Sequence, residues 1–122
     1  MPQSNVIIYG ISNCDTIKKA CRWLDEQQIN YQLHDYRKNG LTQTMLEEFE
    51  CQLGWEKLLN KRSTTYRQLD ETQKEALNRQ NVLNLLEKYP TLIKRPLLVF
   101  KDHYLIGFKP ELYHQFFSQF QS

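Results

Sequence analysis

The sequence is poor in the residues on which several protein classes depend. Its 122 residues include three cysteines, four glycines and four prolines. An odd number of thiols without close pairing does not build the disulfide framework of a small secreted domain. Four scattered glycines form no glycine-rich loop that would cradle a phosphate group. We therefore expect a reducing, cytoplasmic setting, in which the thiols are free unless their chemistry is used.

Long hydrophobic runs and a strong charge of one sign are also missing. The N-terminal MPQSNV has no basic region followed by a long apolar run, and no run reaches the length of a membrane span. A net charge of +2 predicts neither a nucleic-acid nor a membrane partner. The three histidines and three cysteines lack ligand spacing, so the sequence predicts no metal site and no bound cofactor. At this length we expect one domain and a monomer.

The first part of the chain has the pattern of a β-α-β unit. VIIYG, beginning at Val6, is typical of a buried strand that ends at Gly10. The helix that follows is indicated by an apolar stripe, with Asp15 or Thr16 as its N-cap. The stripe consists of Ile17, Ala20, Cys21 and Leu24. Residues 31–36 then predict a second strand, which ends at a turn signal.

A helical middle and a β-β-α unit follow. The middle, about 42–90, begins with a helix that Thr42 caps and Gly54 ends. LLVF from Leu97 pairs in a hairpin with residues 103–108, and Pro110 suits the first turn of a last helix. A βαβ unit followed by ββα is the layout of a thioredoxin-like α/β fold. We therefore predict a single domain over 1–122 with a helical insertion at about 42–90.

Cys14 is the main candidate for chemistry. It lies where the first strand passes into the first helix, close to unpaired backbone N–H groups and the positive end of the helix dipole. Both favour the thiolate, which is the nucleophilic form. Lys18, one turn onward, would add positive potential, whereas the carboxylate of Asp15 would oppose the thiolate if it points at the sulfur; the sequence leaves this balance open. The alternative is a small buried residue in a tight turn.

The other thiols are weaker candidates. Cys21 lies on the apolar stripe and is predicted to be core. A disulfide between Cys14 and Cys21 is excluded because seven helical residues rise about 10.5 Å, more than a disulfide spans. Cys51 is predicted to be core, with a role as a distant resolving thiol as the alternative. His34 and His103 are candidate partners of a catalytic cysteine, but their strand patterns favour solvent-facing positions.

Five segments resemble one family, in the right order and over nearly the whole chain. They are YGISNCDTIKKACRWL, HDYRKNGL, LGWEKLLNKRSTTYRQLDE, IKRPLLVF and LIGFKPE. The chain is similar to the arsenate reductase (ArsC) family of thioredoxin-fold proteins. The similarity is strongest to its YffB-like branch, which neighbours the Spx regulators.

The resemblance implies a set of site residues. The catalytic cysteine of the family falls on Cys14, and the proline that is usually cis falls on Pro96. The residues that would bind substrate or glutathione are Asn13, Asp15, Thr16, Arg62, Arg95, Pro96 and Lys109. Three features depart from the arsenate reductase pattern. Lys109 replaces an arginine, and Asp15–Thr16–Ile17 replaces Gly-Thr-Ser. Strict arsenate reductases carry the arginine of the Arg62 segment two residues earlier, where this chain has Asn60. Without the resemblance, Arg62, Arg95 and Lys109 are equally compatible with structural roles, such as an Arg62–Asp70 pair.

Three functions stay open. The YffB branch implies a glutathione-dependent thiol reductase, with glutathione as co-substrate and a small disulfide or oxyanion as the other substrate. The second possibility is an arsenate reductase coupled to glutathione or glutaredoxin. The third is an Spx-like regulator that binds RNA polymerase without turnover.

Overall fold

The computed structural model describes residues 6–11 and 14–120. The strands are β1 (Val6–Gly10), β2 (Tyr31–Asp35), β3 (Leu97–Phe100) and β4 (His103–Ile106). The helices are α1 (Asp15–Glu26), α2 (Tyr36–Asn39), α3 (Gln43–Leu53), α4 (Trp55–Leu58), α5 (Thr64–Arg67), α6 (Glu71–Glu75), α7 (Arg79–Lys88) and α8 (Pro110–Ser118), with a 3₁₀ turn at Pro90–Leu92. This order of elements is the thioredoxin-like α/β layout that the sequence predicts.

The strands form one four-stranded sheet in the order β2-β1-β3-β4. β3 pairs antiparallel with both β1 and β4, with Ile8 opposite Leu98 and Leu98 opposite Leu105. Lys101 and Asp102 connect β3 to β4, and both have positive φ angles, of 49° and 65°. The predicted hairpin is therefore confirmed, and β1 lies inside the sheet with the start of α1 just beyond its end.

The chain divides into two compact units, of which the first contains the described residues up to His34 and from Arg95 onward. Its core lies between the sheet and helices α1 and α8. The buried members are Val6, Ile8, Ile17, Ala20, Leu24, Leu98, Tyr113 and Phe116. The predicted stripe of α1 thus faces the core, because residues three and four apart share one side of a helix. Cys21, on the same stripe, is half-buried and packs against this cluster.

The second unit is Asp35–Lys94 and contains helices α2 to α7. Thr42 caps α3 by accepting a hydrogen bond from the Met45 N–H at 3.2 Å, and Gly54 ends that helix at φ 88°. The apolar faces of α3, α4 and α7 are buried at Leu46, Phe49, Leu58, Leu83 and Leu86. The interpretation of one domain with an insertion at about 42–90 stays a prediction.

Local hydrogen bonds move three predicted boundaries. The N-cap of α1 is Cys14 rather than Asp15 or Thr16, and Asp15 begins the helix. β2 ends at Asp35, whose carboxylate accepts from the Arg37 N–H at 2.8 Å and starts α2 where a turn was predicted. The polar residues 62–65 predict a loop, but Ser63 caps α5 there by accepting a hydrogen bond from the Tyr66 N–H at 3.0 Å. Over the part of the chain that the structure describes, no helix is both long and apolar enough to cross a membrane.

Candidate functional site

Cys14 occupies the N-cap position of α1. Its backbone is extended, with φ −84° and ψ 131°, and its side chain forms no capping hydrogen bond. The Cys14 N–H donates to the Ile11 carbonyl at 3.1 Å, and the Cys14 carbonyl accepts from the Lys18 N–H at 3.1 Å. The residue is half-buried and packs against the core of the first unit. The thiol is therefore held by a fixed turn at the positive end of a twelve-residue helix.

Gly10 allows the close packing on which this position depends. A Cβ atom at Gly10 would collide with Cδ1 of Ile17 and lie 3.1 Å from its Cγ1. The same atom would lie 3.8 Å from Cγ of Arg95. The aliphatic part of Arg95 therefore lies beside the end of β1, from which the chain leads to Cys14. Arg95 itself is half-buried.

Pro96 joins this arrangement to the segment after β4. The Arg95–Pro96 peptide bond is cis, as the resemblance implies, and Pro96 is buried. The Pro96 carbonyl accepts a hydrogen bond from the Gly107 N–H at 2.9 Å. Two residues later, Lys109 is exposed at the N-cap position of α8. The structure thus places Arg95 and Lys109 on two segments that a backbone hydrogen bond holds together.

The remaining predicted site residues have different surroundings. Asp15 is exposed in the first turn of α1, and Thr16 is half-buried. Asn13 lies outside the described residues. Arg62 belongs to the second unit, where its side chain is exposed and its N–H donates to Oδ1 of Asn60 at 3.0 Å. No salt bridge joins Arg62 to Asp70 in the described part of the chain, so this alternative pair is not formed there.

The other two cysteines differ from Cys14. Cys51 is exposed, so its prediction as a core residue is wrong: it lies on the outer side of α3, away from the buried Leu46 and Phe49. Burial raises the pKa of the Cys21 thiol. A hydrogen bond with the Tyr31 phenol opposes that rise, and the charge of Asp25 adds to it. Because the neutral thiol is the poorer nucleophile, Cys21 is disfavoured as the reacting group.

Sequence reasoning missed the tyrosines around Cys21. Burial raises the pKa of Tyr31, and its hydrogen bond with Cys21 raises it further. Burial also raises the pKa of Tyr113, and the nearby Cys21 adds to the effect. The Tyr113 hydroxyl is buried and has no hydrogen-bond partner among the described residues. Since these residues come from α1, β2 and α8, periodicity within one element gives no signal for the group.

Comparison with known proteins covers nearly the whole chain. The model of the ArsC family matches residues 9–116. An uncharacterized protein of Haemophilus influenzae is 47% identical over 113 residues, which are 93% of this chain and 99% of that protein. A global transcriptional regulator, Spx 2 of Bacillus anthracis, is 26% identical over 113 residues, covering 91% of this chain and 86% of that protein.

Two solved structures are similar in both sequence and fold. A YffB protein is 40% identical with a TM-score of 0.86, and the match covers 91% of this chain and 97% of that one. An arsenate reductase (ArsC) related protein from Brucella melitensis is 39% identical with a TM-score of 0.80, covering 96% and 98%. The similarity thus extends over both compact units.

Proposed function

Because this chain belongs to the ArsC family, we propose that it is a glutathione-dependent thiol reductase that uses Cys14 as its nucleophile. The observation that carries the proposal is the position of Cys14 at the N-cap of α1, half-buried and without a capping side chain. The dipole and the first N–H groups of a helix attract negative charge to its N-terminus. The rise in the pKa of Cys21 and its place in the core make Cys21 a weaker candidate.

The reaction is two successive thiol–disulfide exchanges. The Cys14 thiolate attacks the glutathione sulfur of a glutathione mixed disulfide; the S–S bond breaks, and the sulfur of the other half leaves as a thiolate that takes a proton from water. Cys14 is then bound to the retained sulfur through a new disulfide. A glutathione thiolate attacks that bond, forms oxidised glutathione and releases the Cys14 thiolate. Each turn thus consumes one free glutathione, which leaves as oxidised glutathione together with the glutathione half of the substrate.

The basic residues suit the carboxylates of glutathione. Arg95 and Lys109 lie on the two segments that the Gly107–Pro96 hydrogen bond connects. Arginine binds a carboxylate with two parallel hydrogen bonds, whereas lysine acts as a point charge. In the proposal Asn13 and Thr16 contribute to the same binding, and Pro96 lines it. The setting is the reducing cytoplasm, with a monomer as the working form.

The test is NADPH oxidation coupled through glutathione and glutathione reductase, with a small glutathione mixed disulfide as substrate. We expect turnover by the wild type and a loss of at least a hundredfold for Cys14→Ser, because a hydroxyl does not replace the thiolate. Cys51→Ser is the matched control, since Cys51 is an exposed thiol of the second unit, and it should keep wild-type turnover. Full activity of a folded Cys14→Ser protein would refute the proposal.

Arsenate reduction is the second candidate, favoured by the 39% identity to the arsenate reductase related protein of Brucella melitensis. Arsenate replaces the disulfide in the same coupled assay. Arsenate-dependent turnover that Cys14→Ser abolishes, without any disulfide turnover, would establish this reaction in place of the first.

A further inference from the structure

Asp15 is the charged residue closest in sequence to Cys14. It is the first residue of α1, and its side chain is exposed. Lys18 and Lys19 lie about one turn further along the helix, but within the described part of the chain no salt bridge joins either of them to Asp15. The carboxylate therefore carries its charge one residue after the nucleophile, and neither lysine of the next turn is paired with it.

The position of this charge matters because a helix N-terminus otherwise attracts anions. Free N–H groups and the helix dipole bind phosphate and similar groups at such ends. A carboxylate in the first turn is itself stabilised by that dipole and takes the place of an external anion. Any oxyanion that reacts with the Cys14 sulfur must bring its own charge to this point, next to Asp15.

A disulfide brings no charge to the same point. Its sulfur atoms are neutral, and the carboxylates of glutathione are several bonds from its sulfur. Those carboxylates are free to contact Arg95 and Lys109, on the segments linked by Pro96 and Gly107. The proposed site thus has cations on the segments that Pro96 and Gly107 connect, and an anion on the residue that follows the nucleophile in the chain.

From this arrangement we propose that Asp15 sets the substrate class of Cys14: it admits the neutral sulfur of disulfides and excludes dianionic oxyanions such as arsenate and phosphate. The inference rests on the proposed role of Cys14 as the reacting thiol. A dianion held about 6 Å from a carboxylate in water-like surroundings is disfavoured by about tenfold. Since Asp15 is exposed, salt screens this effect.

The experiment measures oxyanion binding separately from turnover. Arsenate and phosphate are titrated into the full chain with a Cys51→Ser background. Binding is measured in two ways: as a decrease in the rate at which Cys14 is alkylated, and as changes in the amide NMR shifts of α1. The variants are Asp15→Asn, which removes the charge, and Asp15→Glu, which keeps it. Glu26→Gln is the matched control, because it removes an exposed carboxylate from the opposite end of the same helix.

Asp15→Asn should bind both oxyanions about tenfold more tightly than the wild type, whereas Asp15→Glu and Glu26→Gln should not. The gain should shrink as the salt concentration rises from about 0.02 M to 0.5 M.

Two results would overturn the inference: equal oxyanion binding by wild type and Asp15→Asn, including no binding by either, or an equal gain in Glu26→Gln. Failure of the proposed function has a different signature. If the wild type turns over no disulfide, the thiol-reductase proposal falls, while the comparison of oxyanion affinities still decides the role of Asp15.

Discussion

Single residues decide how closely α1 approaches the sheet. Gly10 lies directly against Ile17, which is 1% exposed, and the side chain of Arg95 lies on the same side. The missing side chain at position 10 is thus what lets the helix that carries Cys14 pack against β1. The sequence marks Gly10 as the end of a strand but does not reveal this contact, because Ile17 is brought there by the fold.

Gly10→Ala should destabilise the protein by about 1–3 kcal/mol, since the added methyl group overpacks a buried contact. Ile17→Val, which removes the colliding Cδ1 atom, should recover part of this loss in the double variant, although by itself it costs about 0.5–1.5 kcal/mol. Urea denaturation of the four proteins measures the coupling between the two sites. Simply additive losses would show that the contact does not limit the packing.

Local sequence signals predict the helices and strands of this chain better than they predict the candidate site. Thr42 and Gly54 mark the ends of α3, Pro110 starts α8, and the residues around Lys101–Asp102 predict the hairpin. The one-turn helix α2 was missed because its start depends on Asp35, a buried carboxylate at the end of a strand. The hydrogen bond between Cys21 and Tyr31 was missed for a similar reason, because these two residues become neighbours only after α1 packs on the sheet.

The β3–β4 turn offers a prediction for one element. Lys101 and Asp102 both adopt left-handed φ angles, as type I′ hairpin turns require, and glycine is the favoured residue at the second position. Asp102→Gly should therefore stabilise the protein by about 0.5 kcal/mol, and Asp102→Ala should destabilise it, because alanine lacks the freedom of glycine at positive φ. Thermal unfolding of the two variants provides the comparison. A higher melting temperature for Asp102→Ala than for Asp102→Gly would contradict this account.

At the scale of the whole molecule, the raised pKa values of Cys21, Tyr31 and Tyr113 make stability depend on alkaline pH. In each case the folded state binds the proton more tightly than the unfolded chain, in which the ordinary pKa is about 9 for cysteine and about 10 for tyrosine. The folded state therefore keeps its full advantage below pH 9. As the pH rises beyond these ordinary values, the unfolded chain releases protons first, and the free energy of unfolding falls.

Tyr113→Phe tests one of these three groups. Tyr113 is fully buried, and its hydroxyl has no partner among the described residues. Between pH 8 and pH 10.5 the wild type should lose more unfolding free energy than the variant, by up to about 1 kcal/mol. At pH 8 the variant should be as stable as the wild type or more stable, since it removes an unsatisfied buried hydroxyl. An identical loss in both proteins would assign the alkaline sensitivity to other groups.

The hydrogen bond from Gly107 to Pro96 has a consequence for how such a protein changes over evolutionary time. It belongs to the backbone, so it survives any exchange of the neighbouring side chains at positions 95 and 109. An arginine, a lysine or an uncharged residue at either position alters what the site attracts without altering the scaffold that holds it. Descendants of one ancestral chain can therefore diverge in their ligands by a few point substitutions, while the architecture beneath them is inherited intact.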